Sequence, residues 1–314
     1  MRKLISMLFQ EYISTQKLAA NSIAIKKRAF KHFLSILGDC QLPSKNKLPC
    51  EKYINTLHEK TSARTVETYK RNLSSFFSWL VKHEYLKSNP FSGLQVKQMP
   101  PIPLVSFKPK ELFRIFKVAD KRWKAIVTLA LCGLRRSEIL NLCRNDIDLG
   151  NGRILITPKV DSFLTWEWEN KNCLQTPVPL PKTIDWECFQ ICPQNEIKEL
   201  LSFIPLDQLY VCLKPRHYSL MLQKKAEGNI SFEDSNCPWR SFTRDFGLLL
   251  KKAKVKHKRF EDLRVTYAMS LARMKVKVKS AQKLLRHRNA LTTYTHYQRY
   301  KNIISEDLID EYYI

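Results

Sequence analysis

The chain has 314 residues, enough to bury a sizeable core in about two domains. Hydrophobic residues at 44% and aromatics at 11% exclude a largely disordered protein, and 54 Lys and Arg against 29 Asp and Glu leave a formal charge of +25. Self-repulsion of that size points to a polyanionic partner, with nucleic acid ahead of an acidic membrane surface.

No run of about 20 apolar residues is present, so no helical membrane span is expected. Gln10 and Glu11 cut the first apolar run short of a signal peptide's, and a cytoplasmic, nucleoid-associated protein is expected. Nine cysteines without a Cys-x-x-Cys pair read as reduced thiols. Cys188 and Cys192 lie four apart but lack a second ligand pair at zinc-like spacing, so neither disulfides nor a metal are expected.

In chain order, Leu4, Ile5, Leu8, Phe9, Tyr12 and Ile13 form an apolar stripe at helical spacing. Ile23, Phe30, Phe33, Leu34 and Leu37 trace a second helix face, which Gly38 is suited to end. Pro49 opens a third helix with Tyr53, Ile54 and Leu57 inward. Ser62 is a capping residue for a fourth, where Val66, Tyr69, Leu73, Phe76, Phe77, Leu80 and Val81 keep the period. Residues 1–88 therefore read as a helical unit. Pro90, Gly93, Pro100, Pro101 and Pro103 disfavour helix and mark residues 89–106 as a linker.

The second unit, 107–301, begins with helices at Glu111–Val118 and Trp123–Leu131, and another carries Ile139, Leu140 and Leu142. Asp146–Leu149 and Arg153–Thr157 read as strands joined by the turn Gly150-Asn151-Gly152, with Val178-Pro179-Leu180 as an edge strand. Residues 181–240 read only as mixed helix and loop, and helix resumes after Trp239. The fold class expected is mainly α with a small antiparallel β-sheet, an α+β arrangement.

Metal-free phosphodiester cleavage needs a nucleophile in line with phosphorus, cations on the non-bridging oxygens, and an acid for the leaving alkoxide. Arginine suits the clamp because its planar fork binds phosphate oxygens and stays charged. Three segments supply such groups: Gly133-Leu134-Arg135-Arg136-Ser137-Glu138, Glu261-Asp262-Leu263-Arg264, and Leu285-Arg286-His287 followed by Thr292-Thr293 and His296-Tyr297. Each alone has an ordinary explanation in a helix-end arginine, a surface ion pair or a polar loop. The clustered carboxylates of a metal-dependent nuclease are absent.

In order and spacing these segments resemble the tyrosine recombinases, the family of phage integrases and chromosome-dimer recombinases. The resemblance covers nearly the whole chain, including Asn89-Pro90-Phe91 at the end of a helical core-binding domain. It implies that Arg135 and Arg264 are the catalytic arginines, that Glu138 is a structural partner, and that His287 stands in the Leu-Gly-His position. A catalytic lysine is implied seven residues before Val-Pro-Leu, which is Lys171, acting as general acid; Lys159 lies on the same loop. Among the twelve tyrosines, Thr292-Thr293-Tyr294-Thr295-His296-Tyr297 matches a variant in which the nucleophile is Tyr297.

Two positions depart from the family. Glu261 stands where histidine is usual; a glutamate can still accept the tyrosine's proton but puts negative charge beside a phosphate, so either it turns toward an arginine or the site is weakened. Arg286 replaces the glycine, with less backbone freedom and a possible phosphate contact. The implied activity is site-specific recombination of double-stranded DNA through a 3′-phosphotyrosyl intermediate, with no cofactor and no metal. The implied assembly is a homo-tetramer on paired sites, from a monomer or dimer off DNA. The tail, 302–314, carries Glu306, Asp307, Asp310 and Glu311 and an apolar stripe; the resemblance implies a segment docking on a neighbouring protomer, and a frayed acidic tail is the alternative. Two alternatives stay open: a non-catalytic DNA-binding protein of the same fold, and a topoisomerase using the same chemistry.

Overall fold

The computed structural model describes residues 3–16, 18, 20–39, 50–96, 104–169, 176–186, 188–228, 241–289, 291, 293, 294, 299 and 300. The chain divides into two compact units, Met1–Ile102 and Pro103–Ile314.

Four helices build the first unit: α1 (Ile5–Thr15), α2 (Ala20–Leu37), α3 (Cys50–Lys60) and α4 (Ala63–Lys82). The apolar stripes meet in an aromatic-rich core of Phe9, Phe30, Phe33, Tyr53, Phe76 and Phe77. Phe9 stacks on Phe30 and takes the edge of Phe76 at 5.2 Å, geometries that the ring quadrupole favours. Ser62 caps α4 by accepting the Thr65 N–H at 3.3 Å, and Gly38, at φ +74°, ends α2. Residues from 89 onward do not leave this unit at once. Asn89 donates to the Ser74 carbonyl and the Ser78 hydroxyl, and Phe91 is sealed in the core. The proline-rich reading of a linker overlooked that an Asn-Pro-Phe turn can bury its own aromatic ring.

In the second unit, α5 (Pro109–Val118) is followed by α6 (Lys121–Leu131), which Asp120 caps by accepting the Trp123 N–H at 2.7 Å. Ala125–Leu131 is buried without a break because α6 packs against both α8 (Pro193–Phe203) and α11 (Glu261–Arg273). A short helix, α7 (Arg136–Leu140), leads to the antiparallel sheet β1 (Ile147–Asp148), β2 (Arg153–Ile156) and β3 (Thr176–Pro179), in the order β1-β2-β3. Ile154 faces Val178 across the β2–β3 pairing, so their side chains lie on one face and enter the core. Within 181–240 lies a second hairpin, β4 (Ile184–Trp186) with β5 (Phe189–Ile191), and then α8 and α9 (Pro215–Ala226). Strands of three residues are too short to show a period, which is why the sequence reading left them unresolved. The helices α10 (Ser241–Lys252) and α12 (Val278–Leu285) complete the described elements with α11.

Among the described residues no helix is long and apolar enough to cross a membrane. The acidic tail, 302–314, lies outside the described residues.

Candidate active site

The site forms where three helix ends meet. Helix α6 stops at Cys132, and Gly133 adopts φ +84° as the chain reverses. The Tyr267 ring lies 2.6 Å from where a Cβ on residue 133 would stand, so glycine is needed for space as well as for conformation. The reversal places Arg135 at the N-cap of α7 in extended backbone. One turn on, the Glu138 carboxylate reaches back and accepts the Arg135 N–H at 2.7 Å, satisfying a helix-start donor.

Glu138 then organises the cations. Its Oε1 accepts from Arg135 Nη1 at 2.7 Å, and its Oε2 accepts from Arg286 Nη2 at 2.7 Å. Arg135 Nη2 also donates to the Arg286 carbonyl at 2.9 Å. Arg264, in the first turn of α11, donates through Nη1 to the Gly133 carbonyl and through Nη2 to the Leu285 carbonyl. The Gly133 carbonyl accepts from Arg286 Nη2 as well, at 2.8 Å. Three guanidinium groups from the starts of α7 and α11 and the end of α12 thus meet here, and two of them, Arg135 and Arg286, share one carboxylate.

The electrostatics follow from that ratio. Burial pushes the Glu138 carboxyl up, but Arg286 and Arg135 outweigh it and hold the group below the ordinary carboxylate value. Burial, then the like charges of Arg135 and Arg286, carry Arg264 well below the ordinary arginine value. An anion entering the cluster reverses that push by supplying the missing counter-charge.

The ring of His287 is oriented by its Nδ1, 2.9 Å from the hydroxyl of buried Thr293, and its backbone N–H donates to the Gln282 carbonyl. The structure therefore brings Arg135, Arg264 and His287 to one place. Glu261 turns toward an arginine, one of its two expected courses. It pairs with Arg136 at 3.4 Å, both side chains about half exposed. The sequence reading missed Arg136 as that partner, although its place beside Arg135 on α7 was a signal. The Arg286 guanidinium turns inward and its side chain is 4% exposed, which does not present it for the possible phosphate contact.

Lys171 and Tyr297 lie outside the described residues, as do Thr292 and His296. Of the other two tyrosines at this spacing, Tyr294 is exposed and Tyr300 is buried against α11 and α12. Lys159, beyond the end of β2, is held at 2.7 Å by both oxygens of Asp146 and at 2.6 Å by the Thr157 hydroxyl. Among the described residues, no three His, Cys, Asp or Glu side chains stand together as metal ligands.

No family model matches the chain. A tyrosine recombinase XerC-like protein of Caldanaerobacter subterraneus is 24% identical over 273 residues, covering 78% of this chain and 66% of the relative. Tyrosine recombinase XerC of Bacillus licheniformis is 25% identical over 330 residues, covering 98% and 94%. A crystal structure of a lambda integrase tetramer bound to a Holliday junction matches with a TM-score of 0.67 at 14% identity, over 92% of this chain and 78% of that one.

The chain is thus similar to tyrosine recombinases over as much as 98% of its length. It spans about two thirds or less of the length of several curated relatives, 66%, 47% and 39% for three of them. The chain is mostly helical with small antiparallel sheets, and it shares its fold with that solved integrase. Arg286 stands within the arginine cluster, and Glu261 pairs with Arg136, the residue after Arg135.

Proposed function

We propose that this protein is a site-specific DNA recombinase that breaks and rejoins strands through a covalent bond to Tyr297. The observation that carries the reading is the pair Arg135 and Arg264. Both are anchored to backbone carbonyls around one buried carboxylate, a rigid cationic clamp of the kind a crowded phosphorane needs. The Tyr297 oxygen attacks a DNA phosphorus and the O5′ bond breaks, leaving a 3′-phosphotyrosine and a 5′-hydroxyl. Glu261, released from its half-exposed pair with Arg136, takes the phenol proton, Lys171 gives a proton to O5′, and His287 steadies a non-bridging oxygen. The ester bond energy is kept in the phosphotyrosine, so a 5′-hydroxyl from another strand can reverse the step without a cofactor.

The substrate is double-stranded DNA, and the +25 charge supports that choice. The working assembly is a homo-tetramer on two paired sites, with the acidic tail docking on the next protomer, and the protein acts at the nucleoid. Residues 1–88 form the core-binding domain and 107–301 the catalytic domain in this scheme.

A duplex nicked near the scissile phosphate traps the covalent intermediate. The native protein should give an adduct stable to detergent, and Tyr297→Phe should give none. An adduct from Tyr297→Phe overturns the nucleophile, and no adduct from the native protein favours a non-catalytic DNA-binding role. Relaxation of supercoils without exchange between two sites favours the topoisomerase.

A second reading concerns the acid. Lys159 is the described lysine of the β2–β3 connection, and its tether to Asp146 fixes its ammonium at the hairpin base. A 5′-bridging phosphorothiolate, whose leaving thiolate needs no proton, distinguishes the two lysines. It should rescue Lys171→Ala; rescue of Lys159→Ala instead moves the role to Lys159.

A further inference from the structure

Arg286 occupies a conformation that favours glycine. It ends α12 in the left-handed region, at φ 51° and ψ 46°, where an L side chain is strained. A residue retained there must return more through its side chain than glycine's freedom offers. The side chain is 4% exposed, which removes it from contact with a DNA phosphate. It spends its donors inside the protein: Nη2 on Glu138 Oε2 at 2.7 Å and on the Gly133 carbonyl at 2.8 Å, and Nη1 on the Leu284 carbonyl at 3.3 Å.

These acceptors are the ones that hold the clamp. Glu138 is the anchor of Arg135, and the Gly133 carbonyl is an anchor of Arg264. With glycine at 286, the whole negative charge of Glu138 would fall on Arg135 and draw its guanidinium inward. Arg286 takes a share of that charge and leaves more of the Arg135 charge for an incoming anion. Resting on the assignment of Arg135 and Arg264 as the phosphate clamp, we infer that Arg286 is a positioning residue, which acts through Glu138 and the Gly133 carbonyl to set the attitude of both arginines.

The charged groups facing Glu138 are Arg135 from α7, Arg264 from α11 and Arg286 from α12, and the Tyr267 phenol of α11 lies near Arg286. Substituting Arg286 changes this balance without touching a DNA contact. Arg286→Gly relieves the backbone strain while deleting the donors, Arg286→Met keeps the volume, and Arg286→Lys keeps the charge without the fork.

Three measurements on the full chain test the inference. In the free protein labelled with 15N-arginine, the paired Nη signals of Arg135 and Arg264 should be resolved, and in Arg286→Gly they should stay resolved but shift as Glu138 and the Gly133 carbonyl bond those two groups more strongly. Adduct formation on the nicked duplex should slow about ten- to a hundredfold in Arg286→Gly and Arg286→Met, with the DNA Kd held within about twofold. Arg286→Lys should recover part of the rate. In a Glu138→Gln background, Arg286→Gly should slow the reaction by less than about threefold more, because the two residues act as one unit.

Equal loss of rate and DNA affinity would make Arg286 a DNA contact and overturn the inference. So would full multiplication of the Glu138→Gln and Arg286→Gly effects, or Nη signals whose shifts are the same in Arg286→Gly as in the native protein. If the native protein forms no adduct, the proposed recombinase activity falls, and the Nη signals alone decide whether Arg286 positions the clamp.

Discussion

Glu138 is the residue on which the candidate site turns, with 2% of its side chain exposed and two arginines on its oxygens. Burial alone would raise its pKa above the usual 4.5, but Arg286 and Arg135 bring the folded value below it. A depressed carboxylate pKa adds stability that is complete above the unfolded value and is lost as pH falls through the folded one. Urea denaturation from about pH 3 to pH 7 should therefore show a weaker acid-side slope in Glu138→Gln than in the native chain. The same variant should lose about 3 kcal/mol near neutral pH, since two buried cations then lack their counter-charge. Glu261 is the opposite case. Its pair with Arg136 is about half exposed on both sides, so Glu261→Ala should shift stability by less than about 0.5 kcal/mol. Glu261→His should raise the rate of adduct formation about threefold or more, because it removes a negative charge from beside the attacked phosphate. An unchanged or lower rate in single-turnover assays would show that the carboxylate is needed as it stands.

At the level of elements, the turn from α6 into α7 sets the clamp's geometry. Gly133 has a positive φ and faces the Tyr267 ring, and its carbonyl holds both Arg264 and Arg286. Gly133→Ala must bear a left-handed backbone and push the ring aside, a loss of about 1–3 kcal/mol in denaturant titrations. A control at Gly93, which also has positive φ but open space around it, should lose less, because only the backbone penalty applies. The β2–β3 connection shows another element-scale choice. Lys159 pairs with Trp168, and Trp166 is buried beside Tyr210 and Tyr218, so its early part folds onto α9 instead of forming a plain hairpin tip.

For the whole molecule, the +25 charge sets the expected behaviour with DNA. Binding that releases counterions falls steeply with salt, and the Kd measured by mobility shift should weaken by about a thousandfold or more between 50 and 200 mM salt. A flat response would mean that few phosphates are neutralised and that the charge serves some other purpose.

The sequence by itself determined the helical stripes of the first unit, the cap at Ser62, the Gly150–Gly152 turn and the order of the Arg135, Arg264 and His287 segments. These are local or periodic features, so burial of one face or one turn's backbone geometry writes them directly into residue spacing. Tertiary structure decided the rest. Arg286 turning inward to Glu138, Glu261 pairing with Arg136, and Phe91 returning to the first core all join residues distant in sequence or choose among side-chain rotamers. Such choices depend on where the partner's charge or cavity lies after folding, and no spacing rule within one segment contains that information. The cationic clamp itself belongs to both. Its arginines and Glu138 were legible from their motifs, and the sharing of that carboxylate between Arg135 and Arg286 appeared only when the helix ends met.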